Sequence, residues 1–273
     1  ILTKGEPEAA GVIQSAIEDF SKSLAQVVRR YLKTKAWQDT ERIAIGGGFR
    51  AARVGELVIG RTVALLKSEK IDIDLEPIRN DPDEAGLIGC GHLAPNWMFK
   101  AHDAILAVDI GGTNIRAGVV QLNLKKSRTL SKACVWKFEL WRHADEEKIS
   151  REKAVERLVG MLEDLIAKAK KADIKLAPFI GIGCPGIITK DGAIERGAQN
   201  LPGNWESSKF HLPSEIHEAI PKIGDDETAI VMHNDAVVQG LSEAPFMTDV
   251  KRWGVLTIGT GLGNARFTNR EDD

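Results

Sequence analysis

The run Asp109-Ile110-Gly111-Gly112-Thr113-Asn114 has the chemistry of an anion grip. Its two glycines let backbone N–H groups come close to a phosphate, because no Cβ stands in the way. The Thr113 hydroxyl adds a donor. Asp109 can hold Mg²⁺, or a water bound to it, against the phosphates. Apolar residues enter from Ile105 to Val108 and leave from Ile115 to Val120, so the motif reads as strand, turn, strand. Taken alone, the same residues also describe a tight turn whose Asp and Thr satisfy only its own backbone. A second loop, Gly259-Thr260-Gly261-Leu262-Gly263, follows an apolar run, Trp253 to Ile258, and precedes another short strand, Ala265 to Thr268. A dinucleotide-binding fingerprint needs a helix after its glycine turn, and no G-x-x-x-x-G-K-[ST] run is present. Two strand–glycine–strand hairpins remain. They predict a nucleotide whose phosphates are clamped from both sides.

The elements that must carry these hairpins follow from periodicity. The spacing predicts a long helix over Glu6 to Lys35, a strand over Arg42 to Ile45 ending in Gly46-Gly47-Gly48, a helix over Val54 to Ser68 and a strand over Ile73 to Pro77. Asp81 reads as an N-cap with Pro82 at the first helical position, opening a helix rich in small residues. Ala94 to Ala104 has no periodicity and reads as a connector. Three strands follow, Ile105 to Ile110, Ile115 to Asn123 and Ala133 to Arg142, then a charged helix over Ser150 to Lys171 and a strand over Phe179 to Gly183. After a glycine-rich excursion and a short helix from Leu212, the strand Ala229 to His233 enters a helix over Asp235 to Glu243. This order is that of an α/β protein with mixed sheets.

Composition narrows the function classes. The 273 residues allow one large or two medium cores. A net charge of −2 gives no footprint for nucleic acid or an anionic membrane. The longest apolar runs are strand-sized, so no membrane span is expected. Cys90, Cys134 and Cys184 form no C-x-x-C pair and suggest reduced thiols in a cytoplasmic protein. No signal peptide is visible.

Several separated motifs together resemble the ROK family of sugar kinases and repressors, within the actin/hexokinase/Hsp70 ATPase fold. DIGGTNIRAG from Asp109 and TIGTGLGNA from Thr257 resemble that family's two phosphate motifs. GIGCPGII from Gly181 and DPDEAGLIGCGHLA from Asp81 resemble its connecting motifs, and IAIGGGF from Ile43 its adenosine motif. NLPGNW from Asn200 is similar to its sugar-side loop, and HNDAVVQGLSE from His233 to its catalytic Asn-Asp motif. The resemblance implies a two-lobed, ribonuclease H-like α/β fold. Because the adenosine-side segment precedes the first phosphate motif, it also implies a circular permutation. The expected parts are an adenosine-side segment over 1–94, a connector over 95–104, a first lobe over 105–234, and a catalytic helix and second hairpin over 235–273 that pack with 1–94.

The resemblance further implies ATP and Mg²⁺ as cofactors, a small-molecule sugar as substrate, and phosphorylation of a sugar hydroxyl, as in a glucokinase-like hexose kinase. Asp235 would be the general base, with an N-cap as its plainer role. Asn234, Asn200 and Gly186 would meet the sugar. Gly111, Gly112, Thr113, Asn114, Gly259, Thr260, Gly261 and Gly263 would hold the phosphates, and Gly46, Gly47 and Gly48 the ribose and adenine. Asp109 would organise Mg²⁺ through water. Arg116 is left between a charge-neutralising role and a surface pair. The family's Cys/His zinc cluster and its sugar-binding Glu and His have no matched positions, so no structural zinc is expected and the sugar stays open. Neither nucleic acid nor membrane is expected as a partner, and a homodimer is left open. The alternatives are a non-catalytic regulator of the ROK repressor type and a degenerate kinase serving as an interaction module.

Overall fold

Pro7 in the first turn and apolar residues at helical spacing start the first helix. The computed structural model describes residues 5–48, 52–146 and 148–270. In chain order these form α1 (Pro7–Leu32), β1 (Arg42–Gly46), α2 (Arg53–Ser68), β2 (Asp74–Pro77), α3 (Ala85–Gly89), β3 (Ala104–Ile110), β4 (Ile115–Gln121) and β5 (Cys134–Trp141). Then come α4 (Arg151–Lys171), β6 (Leu176–Cys184), β7 (Ile187–Ile188), β8 (Ile194–Arg196), α5 (Leu212–Ala219), β9 (Lys222–Ile223), β10 (Asp226–Glu227), β11 (Ala229–Asn234), α6 (Asp235–Leu241), β12 (Arg252–Ile258) and β13 (Leu262–Thr268). The chain is α/β with mixed sheets, as expected. No helix among the described residues is long and apolar enough to cross a membrane.

Contacts divide the chain into two compact units. One takes the chain up to Pro82 together with the chain from Met247 onward; the other takes Asp83–Phe246. In the first unit the sheet order is β13-β12-β1-β2. β1 lies parallel to both β12 and β2, and β12 and β13 form an antiparallel hairpin. Residues more than two hundred positions apart therefore share one core, in which Leu24, Val28, Ile43, Ile45, Val58 and Leu256 are buried together. Arg42 of β1 forks onto Asp249, at 2.9 and 3.0 Å, across the same distance in sequence.

In the second unit the order is β11-β6-β3-β4-β5. The β3-β4-β5 meander is antiparallel, and β6 and β11 run parallel to β3, which is the ribonuclease H-like order. Both faces of β3 are covered, so all its residues are buried. On one face Leu106, Val108 and Ile110 pack with Leu158, Leu162 and Leu165 of α4. On the other, Ile105 and Ala107 pack with Leu87 of α3 and Val238 of α6. Side chains alternate along a strand, so Asp109 belongs to this second face.

Three expectations are corrected here. The helix expected from Asp81 and Pro82 begins at Ala85, with Glu84 at its cap position and no side-chain cap bond; after five residues it tightens into a 3-10 turn, Cys90–Leu93. The expected connector contributes to the core: within the 3-10 helix Asn96–Lys100, Met98 and Phe99 are buried in one cluster with Ile105 and Phe179, while Asn96 and Trp97 stay exposed. The compact units also divide differently from the expected segments, since 83–94 and the helix α6 belong with β3 to β11. The physical reason is close packing of α3. A Cβ on Gly89 would overlap the Val238 carbonyl oxygen, and one on Gly181 would stand 2.7 Å from Cβ of Cys90. Gly89→Ala is therefore expected to lower stability by about 1–3 kcal/mol despite alanine's better helix propensity. Thermal unfolding of the variant beside the parent measures this.

Candidate active site

The centre of the second unit is a row across the sheet. Arg116 of β4, Asp109 of β3, Gly183 of β6 and His233 of β11 are successive register partners. Gly86 of α3 walls the Asp109 carboxylate, and a Cβ there would stand 2.7 Å from Oδ1 and 2.9 Å from Oδ2. Gly183 is the gap between two acids. The point where its Cβ would stand lies 3.6 Å from Asp109 Oδ1 and 3.6 Å from Cα of Asp235. Arg116, with a side chain 13% exposed, donates to Asp83 at 2.6 and 3.1 Å and reaches Asp109 at 3.5 Å. It is neither a free cation nor an exposed surface pair.

Burial pushes the Asp109 carboxyl up to about 6, against the pull of Arg116 and with help from the negative charges of Asp235 and Asp83. Burial also raises Asp235, opposed by the N–H of Ala236 donating to Oδ1 at 2.8 Å. Both carboxyls thus hold protons more tightly than in water. Cys90 and Cys184 are buried beside these acids, and burial first and then the neighbouring charge drive both thiols upward.

The N-cap of α6 is Asn234, whose Oδ1 accepts from the N–H groups of Ala236 and Val237 at 3.0 and 3.3 Å. The plainer role expected of Asp235 thus falls to its neighbour, which holds the helix start while Asp235 projects from the first turn. Asn234 Nδ2 donates to the Gly186 carbonyl at 2.8 Å, so two residues expected at the sugar stand together. Gly186 has φ +103° and packs on the backbone of Arg196 and Gly197. His233 Nδ1 accepts from the N–H of Asn234 at 2.8 Å. Asn200 is exposed at the head of its loop. The loop itself is anchored: Trp205 is buried, donates to the Pro202 carbonyl at 2.7 Å, and meets Phe210 edge-on.

The first glycine hairpin closes with the N–H of Gly111 on the Asn114 carbonyl at 2.8 Å, so Gly112 and Thr113 form its tip. Asn114 Oδ1 is buried without a hydrogen-bond partner among the described residues. Beneath the hairpin lies His143, which sequence reasoning missed. It follows β5, is 4% exposed, and its ring Nε2 meets the Gly111 carbonyl at 2.8 Å. No side-chain motif in the sequence marks it, because its partner is a backbone carbonyl.

The remaining expected residues lie in the first unit. Gly46 pairs with Thr257, and Gly47, at φ +95°, stands against the backbone of Ile258. The triple-glycine turn and the second hairpin therefore occupy the ends of adjacent parallel strands. A Cβ on Gly48 would meet nothing within 4 Å among the described residues, and Phe49 of the same motif lies outside them. The hairpin turn is closed by the N–H of Gly259 on the Gly261 carbonyl at 3.0 Å, and Gly263 pairs back to Thr257. Thr260 sits within that turn. Among the described residues a Cβ on Gly259 or Gly261 would meet nothing within 4 Å, so no collision with them demands glycine there. Gly261→Val is accordingly expected to leave Tm nearly unchanged while weakening the binding of a non-hydrolysable ATP analogue by about tenfold or more, if backbone approach to phosphate is the reason for glycine. Calorimetric titration checks this.

The ROK family model matches residues 105–271, and the chain belongs to the ROK family. No curated protein matches. Among solved structures, the chain is similar to the Lmo2764 protein of Listeria monocytogenes, a proposed N-acetylmannosamine kinase, at 23% identity and TM-score 0.42, covering 61% of this chain and 47% of that one. It is similar to a proposed sugar kinase of Cytophaga hutchinsonii at 21% identity and TM-score 0.41, with coverage of 61% and 48%. It is also similar to a ROK transcriptional regulator homologous to the E. coli Mlc protein, at 18% identity and TM-score 0.45, with coverage of 60% and 36%. The chain spans less than half the length of each of these structures.

Proposed function

We propose that this chain is an ATP-dependent sugar kinase in which Asp235 is the general base and Asp109 organises Mg²⁺ through water. The observation that carries the reading is the pair of partly or fully buried acids, Asp109 and Asp235, set on either side of Gly183 at the ends of β3 and β11, the two strands that flank β6. Asp235 Oδ1 is anchored on the Ala236 N–H, which leaves Oδ2 to take the proton of a sugar hydroxyl as that oxygen attacks the γ-phosphorus. The glycine hairpins would hold the triphosphate, and the Gly46 to Gly48 turn the ribose and adenine. Asn200, Asn234 and Gly186 would border the sugar; Asn234 would do so chiefly by fixing Gly186 and the start of α6.

The donor set fits Mg²⁺. The ion keeps several waters and takes only one or two carboxylates besides the phosphates. One walled carboxylate, Asp109, and one acceptor without a partner among the described residues, Asn114 Oδ1, suit a hydrated ion. When bound, Mg²⁺ neutralises charge on the phosphate oxygens during transfer. The parallel pairing of β1 with β12 supports reading the motif order as a circular permutation. A coupled assay over hexoses and amino sugars tests the function. Absence of sugar-dependent ADP release from folded protein across the panel refutes it.

A further inference from the structure

We infer that His143 is a positioning residue that orients the phosphate-gripping hairpin from beneath; the inference rests on the kinase reading of that hairpin. A carbonyl oxygen only accepts, so Nε2–H of His143 must donate to Gly111 O at 2.8 Å. One residue on, the N–H of Ala144 donates to the Thr113 carbonyl at 3.3 Å. Both contacts come from the short 3-10 turn His143–Asp145.

The peptide unit is planar, so its C=O and the following N–H point in opposite directions. Holding the Gly111 carbonyl down therefore turns the N–H of Gly112 to the other side of the hairpin. Holding the Thr113 carbonyl does the same for the N–H of Asn114. Those are the amides that a phosphate would meet. Glycine at 111 and 112 gives the hairpin freedom that must be removed before it can bind an anion without an ordering cost. The 3-10 turn is itself held. Trp141 lies edge-on to the His143 ring, with centroids 5.8 Å apart, and donates from Nε1 to Glu146 at 2.7 Å. The ring of His143 is thus a buried prop on a fixed base, and it touches no reacting atom.

His143→Phe keeps an aromatic ring, a somewhat larger one, and removes the donor. His143→Gln retains an amide N–H at similar reach. Calorimetric titration with a non-hydrolysable ATP analogue and Mg²⁺ is the readout, beside KM for ATP, KM for sugar and Tm. The Phe variant is expected to bind nucleotide about tenfold more weakly. Sugar KM should hold, and the Gln variant should recover most of the loss. His143→Asn, whose shorter amide stops short of Gly111 O, takes its place should the Phe variant not fold. A fall in Tm with unchanged nucleotide affinity, or equal affinities for the Phe and Gln variants, overturns the inference alone. A parent protein that binds no nucleotide overturns the kinase reading and this inference with it.

Discussion

Asp235→Asn is expected to lower kcat by about a hundredfold or more while leaving nucleotide affinity within a few-fold of the parent. The substitution keeps the size of the side chain, and Asn can still accept the Ala236 N–H through its carbonyl oxygen. The N-cap of α6 is untouched because it belongs to Asn234. What is removed is the atom that takes the proton. Were Asp235 merely structural, the variant would shift Tm and spare turnover. The parent should also show an acid limb. Asp109 is pushed up to about 6 and Asp235 above its ordinary 3.8, and each acts as a carboxylate, so kcat/KM should rise with pH through the region near 6 and level off above it. Steady-state kinetics from pH 5 to 8.5 on both proteins is the measurement. Near-parental turnover in Asp235→Asn removes the assigned base.

Long periodic segments declared themselves in the sequence. α1, α4, β3 and β4 stand within a few residues of where their apolar spacing put them, because each buries one face or both in a core. The glycine hairpins were legible for a related reason: glycines between two apolar runs leave the chain little else to do but turn. The start of α3 was not legible. Asp81-Pro82 carries strong cap chemistry, yet the close approach of Gly86 to Asp109 and of Gly89 to Val238 sets where the helix lies. That approach is a tertiary demand with no local signal. Ala94 to Ala104 was unreadable because a 3-10 turn has a different period, and Met98 and Phe99 looked unpatterned until their burial was seen. At the site, chain position alone did not tell which of Asn234 and Asp235 caps α6. His143 was hidden because its partner is a backbone carbonyl, which no side-chain motif records.

Asp109→Asn should make the protein more stable at neutral pH and unable to transfer phosphate. The carboxyl is buried, and burial is the first cause of its rise from 3.8 to about 6. The sign follows from which state holds the proton. Between those two values the folded chain keeps the Asp109 proton while the unfolded chain has released it, so stability falls as pH rises through this window. Above pH 6 the full cost of an ionised, buried Asp109 is present; below about 3.8 it has gone. At about 1.4 kcal/mol per pKa unit the cost at neutral pH is at most about 3 kcal/mol. An amide at the same place carries no charge to desolvate. Arg116 keeps its two hydrogen bonds to Asp83, so the substitution does not strand a buried cation. Thermal unfolding at pH 7.5 should therefore show the variant melting several degrees above the parent, with the gap closing as the pH is lowered towards 4. Turnover should be lost throughout, since the uncharged amide holds a hydrated Mg²⁺ far less well. The combination is diagnostic, because a carboxylate kept for structure would cost stability when replaced. A variant that melts below the parent at pH 7.5, with a gap independent of pH, would show that Asp109 supports the fold instead of being carried at its expense.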